Sequence, residues 1–219
     1  MAGVVVTTAP TQEPLTLQEV KDYLRLADAI DERVLQDLVE ASRQFAEEHM
    51  ARSMMTQTLT LTIDAVADME DPLWEGWKTG ADINSYKNYI TLIKAPVQSV
   101  TSVKTYNDSD VATTMAASKY YVDSARDQAR VVLRTGETFP SALRVANAIE
   151  VVYVAGYTSQ SAIPATIRIG LMQHIAYLYE QRGDMGDFQQ ARKLPPSKML
   201  YAPYVIHSGM GSSSLLALG

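Results

Sequence analysis

The spacing of apolar residues near the start of the chain predicts two helices. Thr16-Leu17-Gln18-Glu19 fits a capping box, in which the threonine hydroxyl accepts the Glu19 amide and the Glu19 carboxylate reaches back. We expect this first helix to run to about Leu26. Asp28 or Asp31 can cap a second, longer helix. Its apolar positions recur at three- and four-residue steps: Val34, Leu35, Leu38, Ala41, Phe45 and Met50. Together the two helices predict a helical hairpin.

The hydrophobic period changes from helical to alternating after Met54. From Met55 to Ile63, threonines alternate with mainly apolar residues, which is typical of a half-buried strand. Further strand candidates lie at 89–93, 100–106, 120–122, 130–133 and 149–155. Short strands at this spacing predict an antiparallel sheet or small barrel. Residues 65–88 are long and irregular, and we expect their aromatic residues, Trp74 and Trp77, to make protein contacts.

A helix that is apolar nearly all round is predicted after Pro164. Between residues 167 and 179 only Arg168, Gln173 and His174 are plainly polar. One apolar stripe holds Ile167, Leu171, Ile175 and Leu178, and the other holds Ile169, Met172, Ala176 and Tyr179. Such a helix is buried in its own core or against another subunit. We therefore take Ile169, Met172 and Tyr179 as candidate subunit contacts, as are the two tryptophans of 65–88.

These elements predict an α+β fold: a helical hairpin packed with a buried C-terminal helix, an inserted antiparallel β sheet or small barrel, and an extended tail. The expected boundaries are a flexible arm at 1–13, a helical core at 14–53 and 163–183, a β insertion at 54–162 and a tail at 184–219. The tail is too apolar for a plain linker, so we expect it to order on a partner. Its candidate contacts are Arg192, Lys193, Lys198, Tyr201, Tyr204, Ile206, Leu215 and Leu216.

Composition narrows the class of protein. The 219 residues are 47% hydrophobic and 20% charged, as in a globular protein. The absence of cysteine excludes disulfides and thiolate metal sites, and no signal peptide or membrane-spanning run is visible, so we expect synthesis inside the cell. A net charge of −6 argues against a dedicated nucleic-acid binder. The charge is uneven, because residues 163–219 hold five basic and three acidic side chains and no acid follows Asp187.

No residue pattern in the chain predicts catalysis, a cofactor or a metal site. His49 follows two glutamates but belongs to no His-Glu-x-x-His pair, and His174 is expected to be packed. Gly209-Met210-Gly211-Ser212 lacks the context of a dinucleotide site, and Lys78-Thr79-Gly80 lacks the Ser-x-x-Lys partner of penicillin-recognising enzymes. Two alternatives stay open: a hydrolase with its site near 65–88, and a carbohydrate-binding sheet using Trp74 and Trp77.

The order of elements resembles the head–tail connector (adaptor) proteins of tailed bacteriophages, in the branch with a β insertion between helices. The resemblance covers about residues 14–183. The segments that carry it are Leu15-Thr16-Leu17-Gln18-Glu19-Val20-Lys21, Ala46-Glu47-Glu48, Thr56-Gln57-Thr58-Leu59-Thr60-Leu61, Lys94-Ala95-Pro96-Val97-Gln98-Ser99-Val100-Thr101-Ser102-Val103, Tyr120-Tyr121-Val122-Asp123, Ile149-Glu150-Val151-Val152-Tyr153-Val154-Ala155-Gly156-Tyr157 and the helix from Ile163-Pro164 to Arg182.

The resemblance implies a structural, non-enzymatic role in the virion, at the head–tail interface, after synthesis in the bacterial host cytoplasm. Its implied partners are the portal protein, identical subunits in a ring of commonly twelve, and the next neck or tail-completion protein. DNA would pass through the ring without specific binding, no membrane is involved, and the C-terminal segment would reach onto the portal. A stopper-like tail-completion protein is the alternative within the same class.

Overall fold

A computed structural model describes residues 2–26, 32–64, 89–140, 142–181 and 197–206. It shows a mixed α+β chain that divides into two compact units. A β unit comprises Met1–Glu13 and Ser53–Ala162, and a helical unit comprises Pro14–Arg52 and Ile163–Gly219. The β unit is therefore formed by two segments of the chain, one before and one after the first two helices.

The helical unit contains four described α-helices: α1 (Leu17–Leu24), α2 (Glu32–Met50), α3 (Ala165–Glu180) and α4 (Ser197–Tyr201), the last followed by a 3-10 turn at Ala202–Tyr204. The predicted capping box is present, because the Glu19 amide donates to Thr16 Oγ1 at 3.2 Å and the Thr16 amide donates to Glu19 Oε2 at 2.9 Å. The helix ends at Leu24, two residues earlier than expected, and its cap Arg25 lies in the left-handed region. The predicted caps Asp28 and Asp31 lie outside the described residues.

The helical unit is held together by an apolar core and by polar contacts between helices. Its buried side chains include Leu35, Val39, Ala46 and Met50 of α2 and Ile167, Leu171 and Ile175 of α3. The ring of Phe45 meets that of His174 edge-on, with centroids 4.8 Å apart. Arg168 of α3 donates a hydrogen bond to Glu19 of α1. The hydrogen bonds from Thr16, followed by the contact with Arg168, hold the pKa of Glu19 below its ordinary value.

The β unit consists of two antiparallel sheets. The larger has the strand order β1-β2-β8-β4-β5 and the smaller β3-β7-β6. The strands are β1 (Ala2–Thr8), β2 (Gln57–Ile63), β3 (Tyr89–Thr91), β4 (Val97–Tyr106), β5 (Ala112–Thr114), β6 (Tyr120–Asp123), β7 (Arg130–Leu133) and β8 (Ile149–Ala155). Among the described strands, the larger sheet has β1 and β5 at its two edges.

One apolar core lies between the two sheets. Residues alternate along β2, with Gln57, Leu59 and Leu61 buried, and along β8, with Val151, Tyr153 and Ala155 buried. These strands share a cluster with Ile90, Val131 and Leu133 from the smaller sheet and with Leu92, which follows β3. A two-residue period with one buried face is what a sheet packed on one side requires.

Two expectations about the chain ends are wrong. Residues 1–13 are not a free arm, because Ala2–Thr8 forms β1 and pairs with β2. Residues 197–206 are not extended, because they form α4 and the following turn, with Tyr201 fully buried. In both places the deciding contacts join residues that are distant in the sequence: β1 pairs with β2 from 50 to 61 positions away, and Tyr201 packs against Gly170 from 31 positions away. Local sequence patterns do not report such contacts.

Candidate contact surfaces

The α3 helix divides its two apolar stripes between core and solvent. Ile167, Leu171 and Ile175 are buried. The other stripe, which we call the α3 stripe, holds Ile169, Met172, Ala176 and Tyr179. Ile169 is 48% exposed and the other three are partly exposed. The predicted burial in the core of its own unit is therefore confirmed for one face of the helix. The other face is partly exposed, and its contact with another subunit stays a prediction.

The C-terminal candidates within 197–206 contact their own helical unit. Tyr201 packs against Gly170 of α3, where an added Cβ would lie 2.5 Å from the tyrosine Cε1 atom. The Arg52 Nε atom donates to the Tyr204 carbonyl at 2.6 Å, and the Ile206 amide donates to the Met50 carbonyl at 3.0 Å. Tyr201 is thus unavailable to a partner in this state. Lys198, Tyr204 and Ile206 are half-buried.

The remaining sequence candidates lie outside the described residues. Arg192 and Lys193 precede α4, Leu215 and Leu216 follow the last described residue, and Trp74 and Trp77 belong to 65–88. Their proposed contacts stay predictions.

The rings of Phe45, His49 and His174 form a cluster next to Tyr201 of α4. Phe45 stacks on His49 with centroids 6.0 Å apart, and the His49 ring lies 6.4 Å from that of Tyr201. Burial lowers the pKa of His174, and burial followed by the charge of Lys198 lowers the pKa of His49. Burial also raises the pKa of Tyr201. These side chains remain neutral near pH 7 and act as packing groups.

The outer face of the larger sheet carries a paired polar network. Lys104 Nζ donates to Glu150 Oε1 and the Tyr106 hydroxyl donates to Glu150 Oε2, both at 3.0 Å. Burial raises the pKa of Glu150, but these two hydrogen bonds together with the positive charges of Lys104 and Arg144 outweigh the effect of burial and leave the pKa below its ordinary value. The Arg144 guanidinium lies 4.0 Å from the centroid of the Tyr106 ring. The network joins β4 to β8 and orders the surface of the sheet.

Two of the segments that carry the sequence resemblance meet in the structure. The Gly156 amide donates to the Pro96 carbonyl at 2.8 Å, and Gln98 Nε2 donates to the Gly156 carbonyl at 2.8 Å. Gly156 has φ +113°, and a Cβ there would lie 2.0 Å from the Met55 carbonyl oxygen. Pro-Val-Gln-Ser-Val and Val-Ala-Gly-Tyr are therefore linked by hydrogen bonds. Residue 156 must be glycine, because of its positive φ and because a side chain would collide with Met55.

The edge of β1 is an exposed surface that sequence analysis missed. Val5 is 64% exposed and Val6 is 44% exposed. The strand contains no charge and no proline, the two residue types that commonly protect a sheet edge. The available signal was the run Val4-Val5-Val6-Thr7-Thr8, since β-branched residues favour strands.

In the described part of the chain, no group of histidine and acidic side chains is arranged to hold a metal ion. None of the described helices combines the length and apolar character needed to cross a membrane.

Comparison with known proteins assigns the fold. No protein-family model matches the chain, and no curated protein matches it. Three solved structures share its fold across nearly the whole length. A chain from the neck of an empty gene transfer agent particle, computed with C6 symmetry, aligns with a TM-score of 0.72 and 20% identity over 95% of this chain and 98% of that chain.

The other two similar structures come from the same kind of particle. A chain from the virion of a native gene transfer agent gives a TM-score of 0.68 and 20% identity, covering 95% of this chain and 97% of that one. A chain from a native neck computed with C12 symmetry gives 0.67 and 21%, covering 96% and 98%. The chain therefore has the α+β fold of proteins found in phage-like particles.

Proposed function

We propose that this protein is a structural subunit of the neck of a tailed phage-like particle, of the adaptor type that joins the portal to the next neck protein. The observation that carries the proposal is the fold, which aligns with neck chains over 95% of this chain and 98% of the other. An alignment of this extent includes both compact units.

Exposed apolar surfaces support an assembly role. The α3 stripe presents Ile169, Met172 and Tyr179 from the helical unit, and β1 presents Val5 and Val6 from the β unit. Clustered exposed apolar residues commonly mark contacts with another protein. We propose that the α3 stripe packs against a neighbouring subunit in a closed ring of twelve, and that Trp74 and Trp77 add to this contact.

The basic C-terminal segment is the proposed portal contact. Arg192, Lys193 and Lys198 lie in a part of the chain without acidic residues, from 188 to the end. Leu215 and Leu216 would add apolar contacts. DNA would pass through the ring as a transient occupant, and the net charge of −6 fits a channel that does not grip phosphates.

Mixing the protein with the cognate portal tests the proposal. The intact chain is expected to form rings on the portal, visible by electron microscopy and by mass. A chain ending at Ile206 retains α4 and the buried Tyr201, so it should fold as the intact chain does. It also keeps Arg192, Lys193 and Lys198 but lacks Leu215 and Leu216, so it should dock on the portal more weakly than the intact chain. Its folding is checked by circular dichroism.

Two results would contradict different parts of the proposal. If the chain ending at Ile206 docks as well as the intact chain, the contact made by 207–219 is wrong. If the intact chain binds neither the portal nor a neighbouring neck protein, the neck function itself is wrong. Turnover of a substrate by the purified chain would favour the enzyme alternative.

A further inference from the structure

We propose that the larger sheet continues from one copy of this chain to the next, with β1 of one copy pairing with the free part of β4 of its neighbour. This inference rests on the proposed ring. It names the surfaces that would join the β units, whereas the α3 stripe belongs to the helical unit.

Within the described residues, both edges of the larger sheet offer unpaired backbone. At one edge β1 presents seven uncharged residues with valines exposed. At the other edge β5 pairs with β4 only at Lys104, Thr105 and Tyr106. In the described part of the chain, no strand lies beside residues 97–102 on that side. These residues are uncharged as well, and Gln98, Ser99 and Thr101 are exposed.

A soluble protein usually protects such an edge with a charge, a proline or an irregularity, because an open edge is a template for another strand. β1 and residues 97–102 of β4 carry neither a charge nor a proline, and only irregularities protect these two edges. The register shifts between Val6 and Thr8 in β1, and between Val97 and Ser99 and between Val100 and Ser102 in β4. Irregular edges pair poorly with an arbitrary regular strand, which favours one matching edge over indiscriminate addition.

Strand direction permits antiparallel pairing between copies. β1 runs opposite to β2, β2 opposite to β8, and β8 opposite to β4. Consequently β1 and β4 run in opposite directions within one sheet. A second copy placed beside the first by rotation about an axis along the strands keeps its strand directions. Its β1 then lies antiparallel to β4 of the first copy.

The strand register also brings the two free edges to the same level. Through their paired residues in β2 and β8, Thr8 lies level with Ser99, and Val5 lies level with Ser102. The exposed half of β1 thus faces the part of β4 that β5 leaves uncovered, with no shift along the strands. Two different edges meeting head to tail form a heterologous contact, which is the kind that closes into a ring.

Cysteine cross-linking tests the pairing directly, because the chain contains no cysteine of its own. The chain carrying Thr8→Cys and Ser99→Cys is assembled with the portal and treated with a short bismaleimide. We expect a ladder of covalent oligomers on a denaturing gel. The matched control combines Thr8→Cys with Ser109→Cys, an exposed position beyond the free part of β4, and should give no ladder.

A charge on the edge gives a second, independent test. Val6 lies on the core-facing side of β1, since its partner Leu59 is buried. In the free protein Val6→Lys can reach solvent, but an added strand would enclose it, so ring formation should fall about tenfold or more. Val145→Lys, at a valine that is 77% exposed, should assemble like the wild type. Thermal unfolding checks that both variants remain folded.

The outcomes separate this inference from the proposed function. If rings form on the portal but give no Thr8–Ser99 ladder, and Val6→Lys assembles normally, the sheet pairing is wrong and the neck function stands. If the wild-type chain forms no ring on the portal or with other neck proteins, the proposed function and the pairing are both overturned.

Discussion

Gly170 and Tyr201 form a close contact in which the tyrosine ring occupies the space that a side chain would need. A Cβ on residue 170 would lie 2.5 Å from Cε1 and 3.2 Å from Cδ1 of that ring. Tyr201 is fully buried, although it belongs to a C-terminal segment that its composition marks as a tail. The absence of a side chain on α3 therefore creates the place where α4 docks.

Gly170→Ala should displace α4. Overpacking of a filled site costs about 1–3 kcal/mol, and better helix propensity returns up to about 1 kcal/mol, so we expect a net loss of about 1–2 kcal/mol in the free energy of unfolding. Hydrogen exchange of residues 197–206 should increase. In a Tyr201→Ala background the same change should be neutral or stabilising, and a loss of equal size there would contradict the contact.

Gly156→Ala should be far more damaging than an equivalent change at Gly136. Both glycines have positive φ, at +113° and +88°, but a Cβ at Gly156 meets the backbone of Met55 whereas nothing lies within 4 Å of one at Gly136. We expect about 3 kcal/mol or more for Gly156→Ala and about 1 kcal/mol for Gly136→Ala, measured by urea unfolding. Equal losses in the free energy of unfolding would show that the positive φ alone, and not the collision with Met55, sets the cost of both changes.

The helical unit should become less stable as the pH is lowered from 7 to 5, because of His174. Burial lowers the pKa of this imidazole from its ordinary value of 6.5, so the unfolded chain binds more protons than the folded one below that value. The free energy of unfolding should therefore be highest above pH 7 and decrease from pH 7 to pH 5. The carboxylates with lowered pKa values, such as Glu19, lose their contribution only at lower pH.

His174→Met should flatten this pH dependence. Its residual slope is assigned to His49, whose pKa is also lowered. Thermal unfolding at intervals between pH 8 and pH 5 compares the variant with the wild type. An unchanged slope in the variant would mean that His174 does not contribute to the pH dependence.

Ile169→Lys should weaken subunit association while leaving the fold intact. Ile169 is 48% exposed on the α3 stripe, so a lysine there can be solvated in the isolated chain but not in a packed interface. We expect ring formation on the portal to fall about tenfold or more. The control is Val34→Lys on α2, where the valine is 40% exposed. Equal effects of both changes would argue against a specific role of the stripe.

Local sequence patterns identified most of the regular elements. The Thr16 capping box and the strands Arg130–Leu133 and Ile149–Ala155 lie where their patterns indicated them. Capping depends on residues three positions apart, and a strand with one buried face repeats every two residues. Such signals lie within a few residues of each other, so the sequence itself carries them.

The candidate surfaces depended on tertiary structure. Sequence showed that α3 had two apolar stripes, but only the packed helical unit decided that Ile167 is buried and Ile169 exposed. Likewise, β1 is a strand because β2 pairs with it from 50 to 61 positions away. From the sequence, Tyr201 is assigned to a tail, and only its contact with Gly170 shows that it is buried. Burial is a property of contacts between distant residues, and a single sequence records each partner without recording that they meet.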